Sequence, residues 1–243
     1  MPKLMVTIDD AGMTPGVNDA VAKCIEAGNI DRIGILSTGS VFEEIFEIPG
    51  ISGIRVSAHL NCIEPPFLTV AVFPDNFVNW VINSKKYAEK ARNEWRAQIE
   101  CLLDKGVEIS GLDSHRHIHH LPGLNSVILE LADEYGIGYV RTAVLHDRFA
   151  RLSGFILDRY GRDFRKLASS RKIDTPDSMF GFSESGCVTR EYLLKYESNI
   201  GDTDKVEIVM HPSTRPEWSK GQPGELELLC SEWFAEWRER IEQ

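Results

Sequence analysis

The sequence predicts an α/β fold, with a mainly parallel sheet or a barrel carrying helices on its outside. Apolar runs of strand length alternate with segments of helical period along most of the chain. Asp9, Asp10, His59, His115 and His211 all fall at the carboxyl ends of such runs, on four different strands, where α/β folds bind ligands. The 243 residues, 42% hydrophobic and 26% charged, suffice for one large domain with a full core. With no internal repeat and no linker rich in glycine and serine, residues 1–243 are expected to form a single domain.

Leu4 to Ile8 reads as the first strand, with the acid pair Asp9 and Asp10 at its end. Thr14 caps the following helix, Pro15 takes its first turn, and Gly28 closes it. Arg32 to Leu36 and Ile54 to Leu60 are the next strands, with a short helix from Val41 to Ile48 between them. Residues 61–86 lack clean periodicity, hold Phe67, Phe73, Phe77 and Trp80, and read as an insertion or lid. A helix from Tyr87 to Lys105 stops at Gly106, and the strand Val107 to Ser114 leads into a histidine run. Helix 123–135 and the strand Gly138 to Arg141 follow, then a basic, less regular stretch from Leu145 to Asp174 with a helix near Phe149 to Tyr160. Thr189 to Ile200 is a capped helix, Lys205 to Met210 a strand ending at His211, and Leu226 to Ile241 an amphipathic helix.

A net charge of −10 argues against nucleic acid as a partner. Five scattered cysteines, never in a CxxC pair, argue against a disulfide framework or a thiolate zinc site. No run approaches membrane-spanning length and MPKLMVTIDDAG is not a signal leader, so no membrane contact and a cytoplasmic location are expected. The basic stretch 145–174 is open to another subunit, in a homo-oligomer, or to an anionic substrate.

The run DSHRHIHH places four of the seven histidines within six residues. Strand alternation would turn His115, His117 and His119 to one side and His120 to the other. Two histidines and a carboxylate with open positions form a recurrent catalytic metal set, which Asp10, His59 and His115 fit. Adjacent acids on one strand point in opposite directions, so Asp9 and Asp10 are expected to divide the work of proton acceptor and ligand. His211 is placed to donate a proton to a leaving group. Asp113 could orient a ligand histidine, and Arg141 could hold a substrate anion or pair with an acid. The aromatic residues of the insertion suit either the faces of a sugar or a satellite core.

In these motifs the chain resembles the YdjC-like carbohydrate deacetylases. TIDDAGMTPGVNDAVAKCIEAGNI is similar to that family's opening acidic motif and first helix, HLN at His59 to its second motif, DSHRHIHHLPG to its third, and VMHPS at His211 to its fourth. The resemblance implies a distorted (β/α) TIM-like barrel related to polysaccharide deacetylases, and removal of an acetyl group from a small N-acetylated sugar such as a chitooligosaccharide. It implies one divalent metal ion, magnesium or zinc, on Asp10, His59 and His115, with Asp9 as general base and His211 as acid or oxyanion partner. His117, His119, Asn61 and Arg141 would face the substrate. Ala11, Cys62 and Glu64 depart from the family pattern beside the substrate, and the tail lacks a final apolar strand, which leaves the barrel incomplete or closed by a partner. The rival functions are another metal hydrolase on the same rim, such as a phosphoesterase, and a non-catalytic sugar-binding protein. A jelly-roll oxygenase is disfavoured because strands alternate with helices.

Overall fold

In the computed structural model, which describes residues 4–145, 152–200 and 205–242, six parallel strands form one sheet in the order β4-β3-β2-β1-β6-β5. They are β1 Leu4–Ala11, β2 Arg32–Ile35, β3 Arg55–Leu60, β4 Ile109–Ser114, β5 Ser178–Phe180 and β6 Val206–Met210. Helices α1 Pro15–Ala27, α2 Phe77–Asp104, α3 Leu124–Glu134, α4 Leu152–Ser170, α5 Arg190–Tyr196, α6 Gln222–Leu229 and α7 Glu232–Glu242 accompany them. The segment 139–145 joins the two sheet edges: Val140 bridges Leu112 of β4, and Leu145 bridges Met179 of β5. Single bridges complete the ring where a regular barrel has a full strand, which is the distortion in this barrel.

Alternation along the strands sorts the core into two kinds. Val6, Ile8, Ile33, Ile35, Val56, Ala58 and Leu112 belong to the buried apolar core. Their neighbours Thr7, Asp9, Arg32, Ser57, His59, Asp113, Tyr139 and Arg141 are equally buried but polar, and meet one another across the lumen. Low in the barrel, Thr7 and Tyr139 each donate a hydroxyl to Glu207 at 2.7 Å, and Arg32 stacks 3.9 Å over the Tyr139 ring. Glycines give these side chains room: a Cβ on Gly34 would lie 2.7 Å from Asp9 Oδ1, and one on Gly111 2.8 Å from both Ser57 Oγ and Tyr139 Cδ1.

Around the barrel, α1 is built as its sequence predicts. Thr14 accepts the Val17 N–H at 3.3 Å, Pro15 opens the helix, and Gly28 ends it at φ 73. The short helix predicted over Val41 to Ile48 is a 3-10 turn, Phe42–Glu47. β5 has no counterpart among the predicted strands; at three residues it is too short to show a period. The predicted tail helix is two helices, α6 and α7, broken between Leu229 and Glu232. The helix expected near Phe149 to Tyr160 is α4, which extends to Ser170; Phe149 itself lies outside the described residues.

The largest revision concerns residues 61–86. Asn76 caps a helix that starts at Phe77, so the back of the expected lid is the first two turns and more of α2. Its aromatic residues join the main core, with Phe73 and Trp80 buried in it and Phe67 and Phe77 packed against it; Phe67 lies edge-on to Phe73 at 5.0 Å and Phe73 stacks on Trp80 at 5.9 Å. Glu94, fully buried on α2, accepts the N–H groups of Leu68 and Thr69 at 2.8 Å and the Thr69 hydroxyl at 2.6 Å. Helical period fails as a signal here because α2 opens with a turn that is mostly exposed.

Glu94 therefore anchors the loop that precedes α2. Replacing Glu94 with Ala leaves three loop donors without their acceptor and is expected to lower stability by about 3 kcal/mol. Amide exchange should accelerate at Leu68 and Thr69, and wild-type protection there would contradict the anchoring role.

Candidate active site

The acid pair ends β1 in a distorted turn. The pairing with β2 shifts register between Ile8 and Ala11, and Asp10 takes a left-handed φ of 65. The expectation that adjacent acids point apart fails for this reason, because both carboxylates come to His59. Asp9 Oδ2 lies 3.7 Å from His59 Nδ1, and Asp10 Oδ1 3.4 Å from His59 Nε2.

Asp10, His59 and His115 form a compact triangle. His115 Nδ1 is 3.0 Å from Asp10 Oδ1 and 3.3 Å from His59 Nε2, and the third side is the 3.4 Å just given. Bonds of about 2.1 Å to a divalent ion place neighbouring ligand atoms about 3.0 to 3.4 Å apart, so the donor atoms fit such an ion. Asp10 Oδ2 is buried with no hydrogen-bond partner among the described residues. The outward nitrogen of His59, Nδ1, makes a short hydrogen bond to Asp113, which leaves Nε2 as the bare donor.

Arg141 organises the second face of the site. Its guanidinium binds both Asp9 oxygens, at 2.7 and 2.9 Å, and lies 3.2 Å from Asp113 and 3.1 Å from Glu207. Burial pushes the Asp9 carboxyl up, but Arg141 and His59 outweigh it and hold it well below the usual carboxylate range. Burial likewise opposes ionisation of Asp10, and His115 outweighs it. His115 in turn is raised to about 8: burial lowers it, and Asp10 more than compensates.

Three residues expected to face substrate belong to the framework. Arg141 is fully buried among carboxylates. Asn61 is buried, donating to Thr38 Oγ1 at 3.0 Å and accepting the N–H groups of Ile63 and Glu64. His119 donates Nε2–H to the Arg141 carbonyl at 3.0 Å and accepts the Ser114 hydroxyl at Nδ1. The predicted alternation of the histidine run is lost because residues 115–120 are a 3-10 turn, with Arg116 and His117 at left-handed φ values of 56 and 55. His120 is also structural, donating Nδ1–H to the His117 carbonyl and accepting the Ala143 N–H at 2.8 Å.

His117 and His211 remain with the reactive groups. Burial and the nearby Arg141 charge keep His117 neutral, its Nδ1 is unpartnered among the described residues, and its ring tilts against Phe182 at 5.9 Å. Burial also lowers His211, which sits close enough to feel the Asp10 and Asp9 charges. Its Nδ1 lies 3.2 Å from Ser185 Oγ, and its ring meets Trp218 edge-on at 5.4 Å. Trp218 is 47% exposed and lies over Gly186, where a Cβ would come within 2.7 Å of the indole. Sequence reasoning missed Trp218 and Glu207. A lone glutamate within the apolar strand VEIVM signals the latter, whereas nothing in PEWSKG marks the former.

The framework histidines give a pH signature. Burial drives His120 down to about 3 and His119 well below its usual range. A depressed base is neutral when folded, so the unfolded chain takes up protons that the folded chain refuses as pH falls below 6.5. That stability is complete above 6.5 and is lost as pH falls below it, at about 1.4 kcal/mol per pH unit for each ring, down to about 3 for His120. Urea unfolding of the metal-free protein should therefore weaken more steeply from pH 6.5 to 4.5 than that of a His119→Gln/His120→Gln variant. Equal slopes would contradict the assignment.

Comparison with known proteins places this geometry. The family model described as YdjC-like protein matches residues 3–240. A protein named carbohydrate deacetylase from Halalkalibacterium halodurans is 26% identical over 223 residues, covering 87% of this chain and 85% of the relative. A Xenopus laevis protein of the same name is 26% identical over 157 residues, covering 58% of this chain and about half, 51%, of its own length. The crystal structure of a putative cellobiose-phosphate cleavage protein from Enterococcus faecalis shares the fold, with a TM-score of 0.76, 21% identity, and coverage of 99% of this chain and 95% of the other. No helix among the described residues is long and apolar enough to cross a membrane. The match across nearly the whole length settles the family: the chain belongs to the YdjC-like proteins.

Proposed function

We propose that this protein is a metal-dependent carbohydrate deacetylase that releases acetate from a small N-acetylated sugar such as a chitooligosaccharide. The observation that carries the reading is the Asp10, His59, His115 triangle with the ionised Asp9 carboxylate against the same histidine. The names of the curated relatives support it. Two imidazoles and one carboxylate suit zinc better than magnesium, which prefers oxygen donors. Asp10, His59 and His115 would hold the ion, and when bound it supplies a polarised amide carbonyl and a more acidic attacking water.

The remaining work falls to the chain's own residues. Arg141 fixes Asp9 in place and keeps it ionised, so that Asp9 is available to accept the water proton, and the acidity that a bound metal would lend that water offsets the weak basicity that the Arg141 contact imposes. His211, neutral and held by Ser185, offers a hydrogen bond to the oxygen that gains charge, and the water proton that Asp9 accepted returns by way of His211 to the departing amine, which leaves both side chains in their starting states. His117 lines the site as a neutral ring. The half-exposed face of Trp218 beside His211 offers an apolar surface on which a pyranose stacks, a role that Phe73 and Trp80, buried in the core, cannot play.

A phosphoesterase with two metals would find a second acidic cluster in Asp9, His59 and Asp113. Arg141 already occupies both of those carboxylates, and its charge opposes a second cation there.

The test is acetate release from N,N′-diacetylchitobiose and its phosphorylated form, with Zn2+ or Mg2+ added to chelator-treated protein. Turnover restored by metal is expected, with Asp9→Asn retaining the metal and losing at least about a thousandfold in kcat. In the same assay Trp218→Ala should raise KM and leave kcat nearly unchanged. Absence of acetate release from any N-acetylated sugar, or full activity in Asp9→Asn, would overturn the reading.

A further inference from the structure

Each histidine of the triangle has a second ring nitrogen, and the group it meets decides which tautomer the ring holds. His59 turns Nε2 to the triangle and Nδ1 to Asp113. His115 is reversed: Nδ1 faces Asp10 and His59, so Nε2 points away from the triangle, 3.4 Å from Glu64 Oε1. We propose that Glu64 is the positioning carboxylate of His115, accepting Nε2–H so that Nδ1 stays bare for the cation. This inference rests on the metal reading given above and deepens it, because it adds a second carboxylate–histidine arm to the one formed by Asp113 and His59.

Glu64 is held in place from both sides. Its backbone is clasped by Asn61, whose Oδ1 accepts the Ile63 and Glu64 N–H groups at 2.9 and 3.1 Å and whose Nδ2 donates to the Glu64 carbonyl. Asn61 is itself fixed to α2, since its own N–H donates to Gln98 Oε1 at 2.7 Å and its carbonyl accepts from Gln98 Nε2 at 2.7 Å. Arg116 donates from Nη2 to Glu64 Oε1. That contact requires the chain to reverse directly after His115, which the left-handed φ of 56 at Arg116 accomplishes. A residue with a side chain adopts this conformation at a cost of about 1 kcal/mol or more, and the reward visible here is the Arg116–Glu64–His115 chain. Because the imidazole ring stands between Glu64 and the triangle, Glu64 orients a ligand and does not act as one.

The two arms differ in surroundings. Asp113 is fully buried, whereas the Glu64 side chain is 36% exposed at the mouth. The Glu64 arm therefore tunes affinity, while the Asp113 arm is built into the barrel lumen.

The experiment measures Zn2+ affinity of the full chain by competition with a chromophoric chelator, for wild type, Glu64→Ala and Glu64→Gln, together with visible spectra of the Co2+-loaded proteins. Loss of an outer carboxylate partner typically weakens metal binding about 10- to 100-fold, and Glu64→Ala is expected to fall in that range. Glu64→Gln, whose amide oxygen still accepts Nε2–H, should recover most of the affinity. The Co2+ bands should be alike in all three, because the ligands are unchanged. Wild-type affinity in Glu64→Ala overturns the inference alone. Weakened binding with altered Co2+ bands also overturns it, by making Glu64 a direct ligand. A wild-type protein that binds no Zn2+ overturns the metal reading, and the inference with it.

Discussion

The structure depends on one buried cation and the three carboxylates around it. Arg141 sits in the barrel lumen with Asp9, Asp113 and Glu207 within 3.2 Å, all fully or almost fully buried. Removing one partner from such a group leaves uncompensated charge in a low-dielectric interior, a penalty of about 3 to 5 kcal/mol. The same contacts fix the angle of Asp9 and, through Asp113, the tautomer of His59. The barrel thus uses its interior for charge positioning where a typical barrel packs branched apolar side chains. Glycines at 34 and 111, which leave space for Asp9, Ser57 and Tyr139, are part of the same arrangement.

Local backbone strain does what regular strands cannot. Asp10 at the end of β1 and the Arg116–His117 pair after β4 all take left-handed conformations. The first turns a second carboxylate toward the site that alternation would send outward. The second reverses the chain so that His115 reaches the triangle while His119 and His120 drop into the wall behind it. Strained residues persist where the surroundings over-determine them, and here the segment after the reversal is held by the bonds of His119 to Ser114 and Arg141 and of His120 to Ala143, while Arg116 bonds to Glu64.

Much of this was legible from residue order. Strand-end placement brought Asp9, Asp10, His59, His115 and His211 to one rim because parallel strands share a carboxyl edge, and the caps Thr14 and Gly28 bounded α1 as their chemistry requires. What could not be read was the direction of side chains at departures from ideal backbone. Period-2 reasoning grouped His115, His117 and His119, whereas a 3-10 turn separates them. Arg141 was placed at a strand end without any indication of which of two roles it fills, since its partners lie 28 to 132 residues away. Composition marks the aromatic residues of the 61–86 stretch but does not separate the buried Phe73 and Trp80 from the half-exposed Trp218, because burial is a tertiary property.

We propose that Arg141, by engaging Asp9 and Asp113, keeps both from binding metal, leaving Asp9 as the base and Asp113 as the partner of His59, so that a single cation is held by Asp10, His59 and His115. Anomalous diffraction at the zinc edge from crystals grown with Zn2+ tests it most directly. One strong peak bonded to Asp10, His59 Nε2 and His115 Nδ1 is expected. A peak between Asp9, His59 and Asp113, or a pair of peaks sharing His59, would contradict it.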